Sequence, residues 1–392
     1  MEALPPRSRL LHVGLMKTGT TALQSAASSR RRELLRHGVR YPGGHYNHRR
    51  EAQALFDRRS DAGRRKPDAW DRLLTEINAD TTRRIFLSNE MIAGGDETVV
   101  RRFRDDLGPR THVVFTVRSF ASILPSLWQQ YVKSGYQRDF EAFLSSRLAG
   151  DPTQLPADLA RHDQATLVTR WAGVFGAENV TVVVVDKSEP RRVPSSFEML
   201  LGLPTGMLYE PELRGESINR SLSAHEASLL LTVNRIVGPH GLAQERLDRV
   251  LLKGAIARML DEGPVPDPGA QLVLPPWAVE PAVARSRRYA EVIAGTGVRV
   301  VGDLEELSRP PRTDRGFWAV SETVPVEVAA QALAGALSAG LGRGSNFGLP
   351  AGVRPGTKDA VVGRMRWRAA AMRQRLRRMR HQFRAGWPAR RS

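Results

Sequence analysis

Residues 14–21 read Gly-Leu-Met-Lys-Thr-Gly-Thr-Thr, which combines two glycines, one lysine and three hydroxyl side chains. The segment follows an apolar run that ends at residue 14, and it precedes a stretch of good helix formers at residues 22–27. A glycine-containing turn between a strand and a helix points successive backbone N–H groups at one spot, and the helix dipole adds partial positive charge there. The segment is therefore predicted to bind a phosphate group.

The lysine of this segment is displaced from the position that phosphoryl-transfer enzymes use. The spacing Gly14-x4-Gly19 is that of a Walker A loop, but Thr20 and Thr21 stand where Lys and Ser/Thr belong. In an ATPase that lysine reaches the β and γ phosphates, and the hydroxyl after it holds Mg²⁺. A lysine at position 17 instead argues against ordinary metal-assisted phosphoryl transfer.

A second group of residues suits an anion. Arg118 directly follows the apolar run at residues 111–117, and Ser126 comes eight residues later. Because Pro125 is tolerated only in the first turn of a helix, the helix that carries Ser126 is predicted to start near residues 121–122. An Arg fork at the end of a strand, together with a hydroxyl on the next helix, suits a phosphate monoester.

The first of these segments resembles the 5′-phosphosulfate loop of the sulfotransferase superfamily, in which a Lys shortly precedes Gly-Thr-Thr. The resemblance implies that Lys17 contacts the 5′-phosphate and the bridging oxygen of 3′-phosphoadenosine 5′-phosphosulfate (PAPS). It implies PAPS as the sulfuryl donor and no metal. The remaining residues that it assigns to this loop are Thr18, Gly19, Thr20 and Thr21.

The second segment also matches that superfamily, where an Arg and a Ser eight residues on bind the 3′-phosphate. Arg118 and Ser126 have this spacing. The similarity covers roughly residues 8–220. The chain lacks the Arg-Lys-Gly segment with which small-molecule members close over the 3′-phosphate, so it resembles a bacterial or carbohydrate-type branch.

Sulfuryl transfer to an alcohol requires a base that takes the proton of the attacking oxygen. Glu90 follows the apolar run at residues 85–88, and in carbohydrate-type members a Glu at the end of a comparable strand is the base. His48 and His45 compete with it, because histidine titrates near pH 7 and other relatives use one. The choice among Glu90, His48 and His45 stays open from the sequence.

Five apolar runs, separated by helical patterns, predict the element framework that positions these residues. The fold class is expected to be α/β, with a P-loop-type parallel sheet flanked by helices. Ligands in such folds bind at the carboxyl ends of the strands. The predicted strands are Leu10–Gly14, Val39–Tyr41, Arg84–Ser88, Thr111–Val117 and Val180–Val185.

The composition changes along the chain and predicts four segments. Amphipathic helices are expected at Ser221–Val237 and Glu245–Leu260. The predicted segments are a sulfotransferase core at 8–215, a helical accessory or acceptor region at 216–340, a linker at 341–357 and a basic amphipathic tail at 358–392.

The charge of the chain is concentrated near its end. Residues 354–392 hold twelve Arg and one Lys against a single acid, Asp359, within a net charge of +18. The apolar stripe of the tail suits a helix on an anionic membrane surface, and the alternatives are a disordered basic tail or a helix docked on its own domain or on a second subunit. The lack of a nucleic-acid-binding motif argues against nucleic acid. The chain has no cysteine, no leader-like start and no long apolar run. It is therefore expected in the cytoplasm, peripheral at the inner membrane face if the tail docks.

Two other functions fit parts of the sequence. A nucleotide kinase or NTPase would use the strand that ends at Asp186 to hold Mg²⁺. A non-catalytic protein that binds nucleotide or membrane would rely on the basic tail. For a sulfotransferase, the acceptor is expected to be a hydroxyl of a small molecule or carbohydrate: a glycan, a glycolipid or a secondary metabolite.

Overall fold

The structure is a computed structural model, and it describes residues 2–15, 18, 20–56, 68–149, 162–209, 221–240, 244–263, 271–311, 316 and 321–342. The chain divides into two compact units. The larger unit comprises Met1–Gly241 and Val265–Val324, and the smaller comprises Leu242–Pro264 and Pro325–Ser392. The predicted linker after residue 342 and the basic tail lie outside the described residues.

Six strands of the described chain form one sheet in the larger unit, and every adjacent pair is parallel. The order across the sheet is β2-β3-β1-β4-β5-β6. Helices flank the sheet, which confirms the predicted α/β fold class. The strands are β1 Arg9–His12, β2 Val39–Arg40, β3 Arg84–Ser88, β4 Thr111–Val117, β5 Val180–Val184 and β6 Arg299–Val301.

The five predicted strands are confirmed, with ends that differ from the prediction by at most two residues. All seven residues of β4 are buried, as expected for a central parallel strand that is covered on both faces. The sixth strand was not predicted. It has three residues and lies at the edge of the sheet, so its sequence carries no long apolar run.

The helices cover most of the remaining described chain. They are α1 Thr20–Ser29, α2 Arg31–Arg36, α3 Arg49–Phe56, α4 Ala69–Ala79, α5 Glu97–Leu107, α6 Phe120–Lys133, α7 Phe140–Leu148, α8 Gln164–Phe175, α9 Arg192–Leu201, α10 Ala224–Val237, α11 Gln244–Leu247, α12 Ala257–Glu262, α13 Pro276–Gly295 and α14 Val326–Gly340. A π-helical segment, Asp248–Ile256, joins α11 to α12, and short 3-10 turns include Glu90–Gly94. Among the described residues, no helix is both long and apolar enough to cross a bilayer.

The start of α6 differs from the prediction. The helix begins at Phe120, so Pro125 is its sixth residue rather than part of its first turn. Proline has no N–H, and the carbonyl of Ala121 therefore lacks the usual helical donor. Trp128 on the same helix is fully buried, and its indole N–H donates to the Arg138 carbonyl at 3.1 Å.

The smaller unit is built on close helix packing. Its π-helical segment packs against α14, and Gly254 meets Gly335 at the contact. A Cβ at Gly335 would lie 2.3 Å from the Gly254 carbonyl oxygen, so a larger residue does not fit there. The helices predicted at Ser221–Val237 and Glu245–Leu260 correspond to α10 and to the continuous helical stretch from α11 to α12.

The order of strands creates a crevice next to β1. From β1 the chain passes to β2 and β3 on one side, and it then crosses to β4 and β5 on the other. Ligands of open parallel sheets bind outside the carboxyl ends of the strands at such a reversal. The segments that follow β1, β3, β4 and β5 therefore meet at one edge of the sheet.

Candidate functional site

The predicted phosphate loop lies at the carboxyl end of β1. Thr20 opens α1, and Thr21 follows it in the first turn of that helix. Lys17 and Gly19 lie outside the described residues. The described part of the loop agrees with a strand-to-helix turn, in which the first N–H groups of α1 have no partner within the helix.

Thr18 anchors the loop to the sheet. Its side chain is fully buried, and its hydroxyl donates to the Leu15 carbonyl at 2.5 Å. The same oxygen lies 2.7 Å from Oγ1 of Thr116 on β4. The Thr18 hydroxyl is thus used inside the protein, which agrees with the prediction that Thr18 contacts phosphate through its backbone N–H.

Gly14 allows the loop to lie directly on the buried side chains beneath it. A Cβ at this position would lie 2.4 Å from His12 Nε2 and 2.8 Å from Thr116 Oγ1. Those distances are far shorter than any that real Cβ atoms show. The backbone of residue 14 lies so close to the side chains of His12 and Thr116 that only glycine fits there.

His12, Ser88 and Thr116 form a buried polar floor beneath the loop. His12 Nδ1 lies 2.7 Å from Ser88 Oγ, and its Nε2 lies 3.4 Å from Thr116 Oγ1. His12 is fully buried, and burial lowers its pKa to about 3. The imidazole is therefore neutral at pH 7 and joins the ends of three adjacent strands without adding charge.

Glu90 is held at the carboxyl end of β3 by Gln24 of α1. The Gln24 amide nitrogen donates to Glu90 Oε2 at 3.0 Å and to Ser88 Oγ at 3.1 Å. Asn89 caps the 3-10 turn that Glu90 opens, because its side-chain oxygen accepts from the Met91 N–H at 2.9 Å. The carboxylate is half-buried, and it is tied to the helix that starts at the phosphate loop.

The structure argues against His48 as a base. Its Nδ1 accepts from the Ser88 N–H at 3.0 Å, and its Nε2 donates to the Pro42 carbonyl at 3.0 Å. The side chain is buried, and burial lowers its pKa. Both ring nitrogens are engaged with the backbone, so His48 fastens the loop after β2 to β3. His45, by contrast, is exposed.

Arg118 stands at the end of β4, and its backbone is clamped by Gln164 of α8. The Gln164 amide nitrogen donates to the Arg118 carbonyl at 2.6 Å, and the amide oxygen accepts from the Arg118 N–H at 2.9 Å. Gln164 is fully buried. Burial also lowers the pKa of Arg118, although a guanidinium remains charged at any physiological pH.

A cavity of about 350 Å³ brings Arg118 and Ser126 together, as the spacing of the two residues suggested. Lys187, which follows β5, lines the same cavity. Although part of its side chain is exposed, desolvation lowers the pKa of Lys187, and the nearby Arg118 charge lowers it further. Two cations that repel each other in one cavity favour an anion as the ligand.

Sequence reasoning missed Lys187 and Gln164. Lys187 carries a usable signal, since it lies three residues beyond the last residue of a buried parallel strand. Gln164 carries no such signal, because its pairing with Arg118 joins residues 46 positions apart.

Within the described residues there is no cluster of three His, Asp or Glu side chains that could hold a metal ion.

Asp186, the residue that an NTPase would need for Mg²⁺, is poorly placed for that role. It follows β5, and β4 lies between β5 and the phosphate-loop strand β1. Asp186 therefore does not follow a strand adjacent to β1. The carboxylate instead accepts from the Ser188 N–H at 2.8 Å and faces Arg309 at 3.7 Å.

Comparison with known proteins gives one distant likeness. No family model and no curated protein match the chain. Among solved structures, the chain is similar to a crystal structure of a sulfotransferase from Alicyclobacillus acidocaldarius, at 17% sequence identity and a TM-score of 0.38. The match covers 61% of this chain and 98% of that one. At that TM-score the likeness carries no weight for function, which rests on the residues described above.

Replacing Gln164 by Leu is expected to weaken anion binding at Arg118. The change removes both hydrogen bonds that fix the Arg118 backbone, and each buried group left unpaired costs about 1–3 kcal/mol. We expect the dissociation constant for 3′,5′-adenosine bisphosphate, measured by calorimetry, to rise by about tenfold, or about 1.4 kcal/mol.

Asn234→Leu is the matched control for this substitution. The buried Asn234 amide also clamps backbone, donating to the carbonyls of Val132 at 2.7 Å and Tyr136 at 3.0 Å, but it does not hold Arg118. A similar loss of bisphosphate binding in both variants would assign the effect to general destabilisation rather than to Arg118.

Acidification is expected to destabilise the fold through His12. Its folded-state pKa is about 3, whereas that of the unfolded chain is near the ordinary 6.5. Between these values the unfolded state binds more protons, so stability falls as pH is lowered, by about 1.4 kcal/mol per pH unit for one group. The check is urea unfolding at about pH 6.5 and about pH 5, where His12→Asn should reduce the difference by about 2 kcal/mol. An unchanged pH dependence in His12→Asn would show that His12 does not set it.

Proposed function

We propose that this protein is a sulfotransferase that moves a sulfuryl group from PAPS to a hydroxyl group of an acceptor. The observation that carries the proposal is that two elements suited to anions stand at the ends of neighbouring strands. One is the loop that begins α1 after β1, and the other is the Arg118 cavity beyond β4. A donor that carries phosphate at both its 5′ and 3′ positions matches two such elements, whereas ATP matches one.

The placement of the two elements supports this donor. Strands β1 and β4 are adjacent and parallel, so their carboxyl ends lie about 5 Å apart. The 5′-phosphosulfate is assigned to the loop, through Lys17 and the N–H groups of residues 18–21. The 3′-phosphate is assigned to Arg118, Ser126 and Lys187, which share one cavity. The extra cation strengthens a site for a doubly charged phosphate monoester.

The proposed reaction is a single in-line displacement at sulfur. The acceptor oxygen forms a bond to sulfur while the bond from sulfur to the bridging phosphate oxygen breaks. Glu90 takes the proton of the acceptor hydroxyl, and Lys17 with the loop N–H groups stabilises the charge that develops on the leaving oxygen. The products are a sulfate ester and 3′,5′-adenosine bisphosphate.

Glu90 is the preferred base because its geometry leaves it available. Gln24 donates to one of its carboxylate oxygens, which orients the group without neutralising it. His48 has both ring nitrogens engaged by backbone groups.

The basic tail, residues 358–392, lies outside the described chain. A cytoplasmic enzyme with this tail on an anionic membrane would meet a glycolipid or surface glycan.

The donor assignment predicts which nucleotide stabilises the protein. Adenosine 3′,5′-bisphosphate should raise the melting temperature more than ATP with Mg²⁺ does, because at equal concentration the ligand that binds the folded state more tightly stabilises it more. Arg118→Ala should weaken bisphosphate binding at least tenfold, since a hydrogen bond to a charged group contributes about 1.5–3 kcal/mol. Arg101→Ala is the control, because this exposed residue pairs with Glu97 on α5. Stronger stabilisation by ATP, or full bisphosphate binding in Arg118→Ala, would overturn the assignment.

The base assignment predicts a loss of turnover without a loss of donor binding. Glu90→Gln keeps the size of the side chain but removes its basicity, so sulfate transfer should slow by about 10²–10⁴-fold. Bisphosphate binding should stay within about twofold of wild type, because Glu90 is not assigned to the nucleotide. Near-normal turnover in Glu90→Gln would remove Glu90 from this role. Glu97→Gln, which alters an exposed carboxylate on α5, is the control.

A further inference from the structure

A second cavity, with a volume of about 860 Å³, lies against helix α3. It is formed by the end of the loop after β2 and by the first turns of α3 and α4. Its lining residues differ from those of the Arg118 cavity, so the proposed 3′-phosphate site does not account for it. A volume of this order accommodates a ligand of one or two sugar rings.

A chain of hydrogen bonds connects this cavity to Glu90. Asn47 lines the cavity and donates to the Gln24 side-chain oxygen at 3.3 Å. Gln24 in turn donates to Glu90 at 3.0 Å. The loop that carries Asn47 is fastened to the end of β3 by His48. The backbone N–H of His48 donates to the Ser88 carbonyl at 3.2 Å. The wall of the cavity is thus two side chains away from the proposed base.

The lining of the cavity is rich in cations. Arg49 and Arg50 come from α3, and Arg72 comes from α4. Among the described lining residues the acid is Asp68, whose carboxylate caps α4 by accepting from the Asp71 N–H at 3.1 Å. In this described part of the lining, cations outnumber acids, and forked guanidinium groups suit carboxylate or sulfate oxygens.

The rest of the lining is polar and suits hydroxyl groups. Tyr46 is 38% exposed and presents an aromatic surface, while His45, Asn47 and Gln53 offer hydrogen-bonding groups. A flat aromatic surface beside several polar groups fits a sugar ring, which has an apolar face and a polar rim. Arg49 and Arg50 add positive charge, which favours an acidic sugar over a neutral one.

We infer that this cavity is part of the acceptor site and that it binds the anionic end of an acidic sugar, whose carboxylate or sulfate contacts Arg49 and Arg50. This inference rests on the proposed function, because it takes the ligand of the cavity as the acceptor of sulfuryl transfer. It narrows the acceptor from any alcohol to a sugar that already carries negative charge.

The test compares two sugars that differ in a single group. The probes are para-nitrophenyl β-D-glucuronide, which has a carboxylate, and para-nitrophenyl β-D-glucoside, which has a hydroxymethyl group in its place. Binding is measured by calorimetry with saturating 3′,5′-adenosine bisphosphate. The wild type is expected to bind the glucuronide at least tenfold more tightly than the glucoside. The double variant Arg49→Gln, Arg50→Gln should lose that preference.

The matched control is Arg32→Gln, Arg36→Gln. Both residues are exposed on α2, and the change removes the same amount of charge away from the cavity. This variant should keep the preference for the glucuronide. Equal binding of the two sugars by the wild type, binding of neither, or a preference that survives in Arg49→Gln, Arg50→Gln would overturn the inference.

The thermal shift with bisphosphate separates this inference from the proposed function. If bisphosphate stabilises every variant but the sugars are not distinguished, the acceptor inference fails and the donor assignment stands. If bisphosphate gives no shift while the arginines still select the glucuronide, the cavity is an acidic-sugar site in a protein that does not use PAPS. The bisphosphate shift also shows that each variant is folded.

Discussion

A single chain of hydrogen bonds fixes the geometry on which the rest of the site depends. Gln24 donates to the Ser88 hydroxyl, which lies 2.7 Å from His12 Nδ1. The other ring nitrogen of His12, Nε2, faces the Thr116 hydroxyl. The Thr116 hydroxyl in turn faces that of Thr18, which donates to the Leu15 carbonyl. Every side chain in this network has a partner, which is the condition for burying polar groups at low cost.

This chain of hydrogen bonds connects segments that have different roles. It starts at α1, whose Gln24 orients Glu90, passes from β3 through β1 to β4, and ends in the phosphate loop. Asn47 extends it to the loop after β2. A shift in any one of these segments would break a hydrogen bond to another, so Glu90, the loop after β1 and the cavity that Asn47 lines keep a fixed relation. Gly14 is part of the same constraint, because a side chain there would displace His12.

The sequence predicts the framework of this site better than its contacts. Buried parallel strands such as β4 show as continuous apolar runs, and a glycine-containing turn after a strand marks the phosphate loop. These signals are local. The clamp of Gln164 on Arg118 and the bond from Gln24 to Glu90 join distant positions, and nothing local distinguishes these glutamines from others. The sequence offers His48 as a candidate base for the same reason. A histidine in a Gly-rich loop gives no sign that both its ring nitrogens bind backbone groups.

Uncharged and charged side chains occupy different parts of the site. The floor beneath the phosphate loop is polar but uncharged, since burial keeps His12 neutral. The cations stand at the rim, where Arg118 and Lys187 share one cavity and Arg49, Arg50 and Arg72 line the other. Positive charge is therefore concentrated at the two cavities, where ligand oxygens would lie, and the groups that hold the loop in place contribute none.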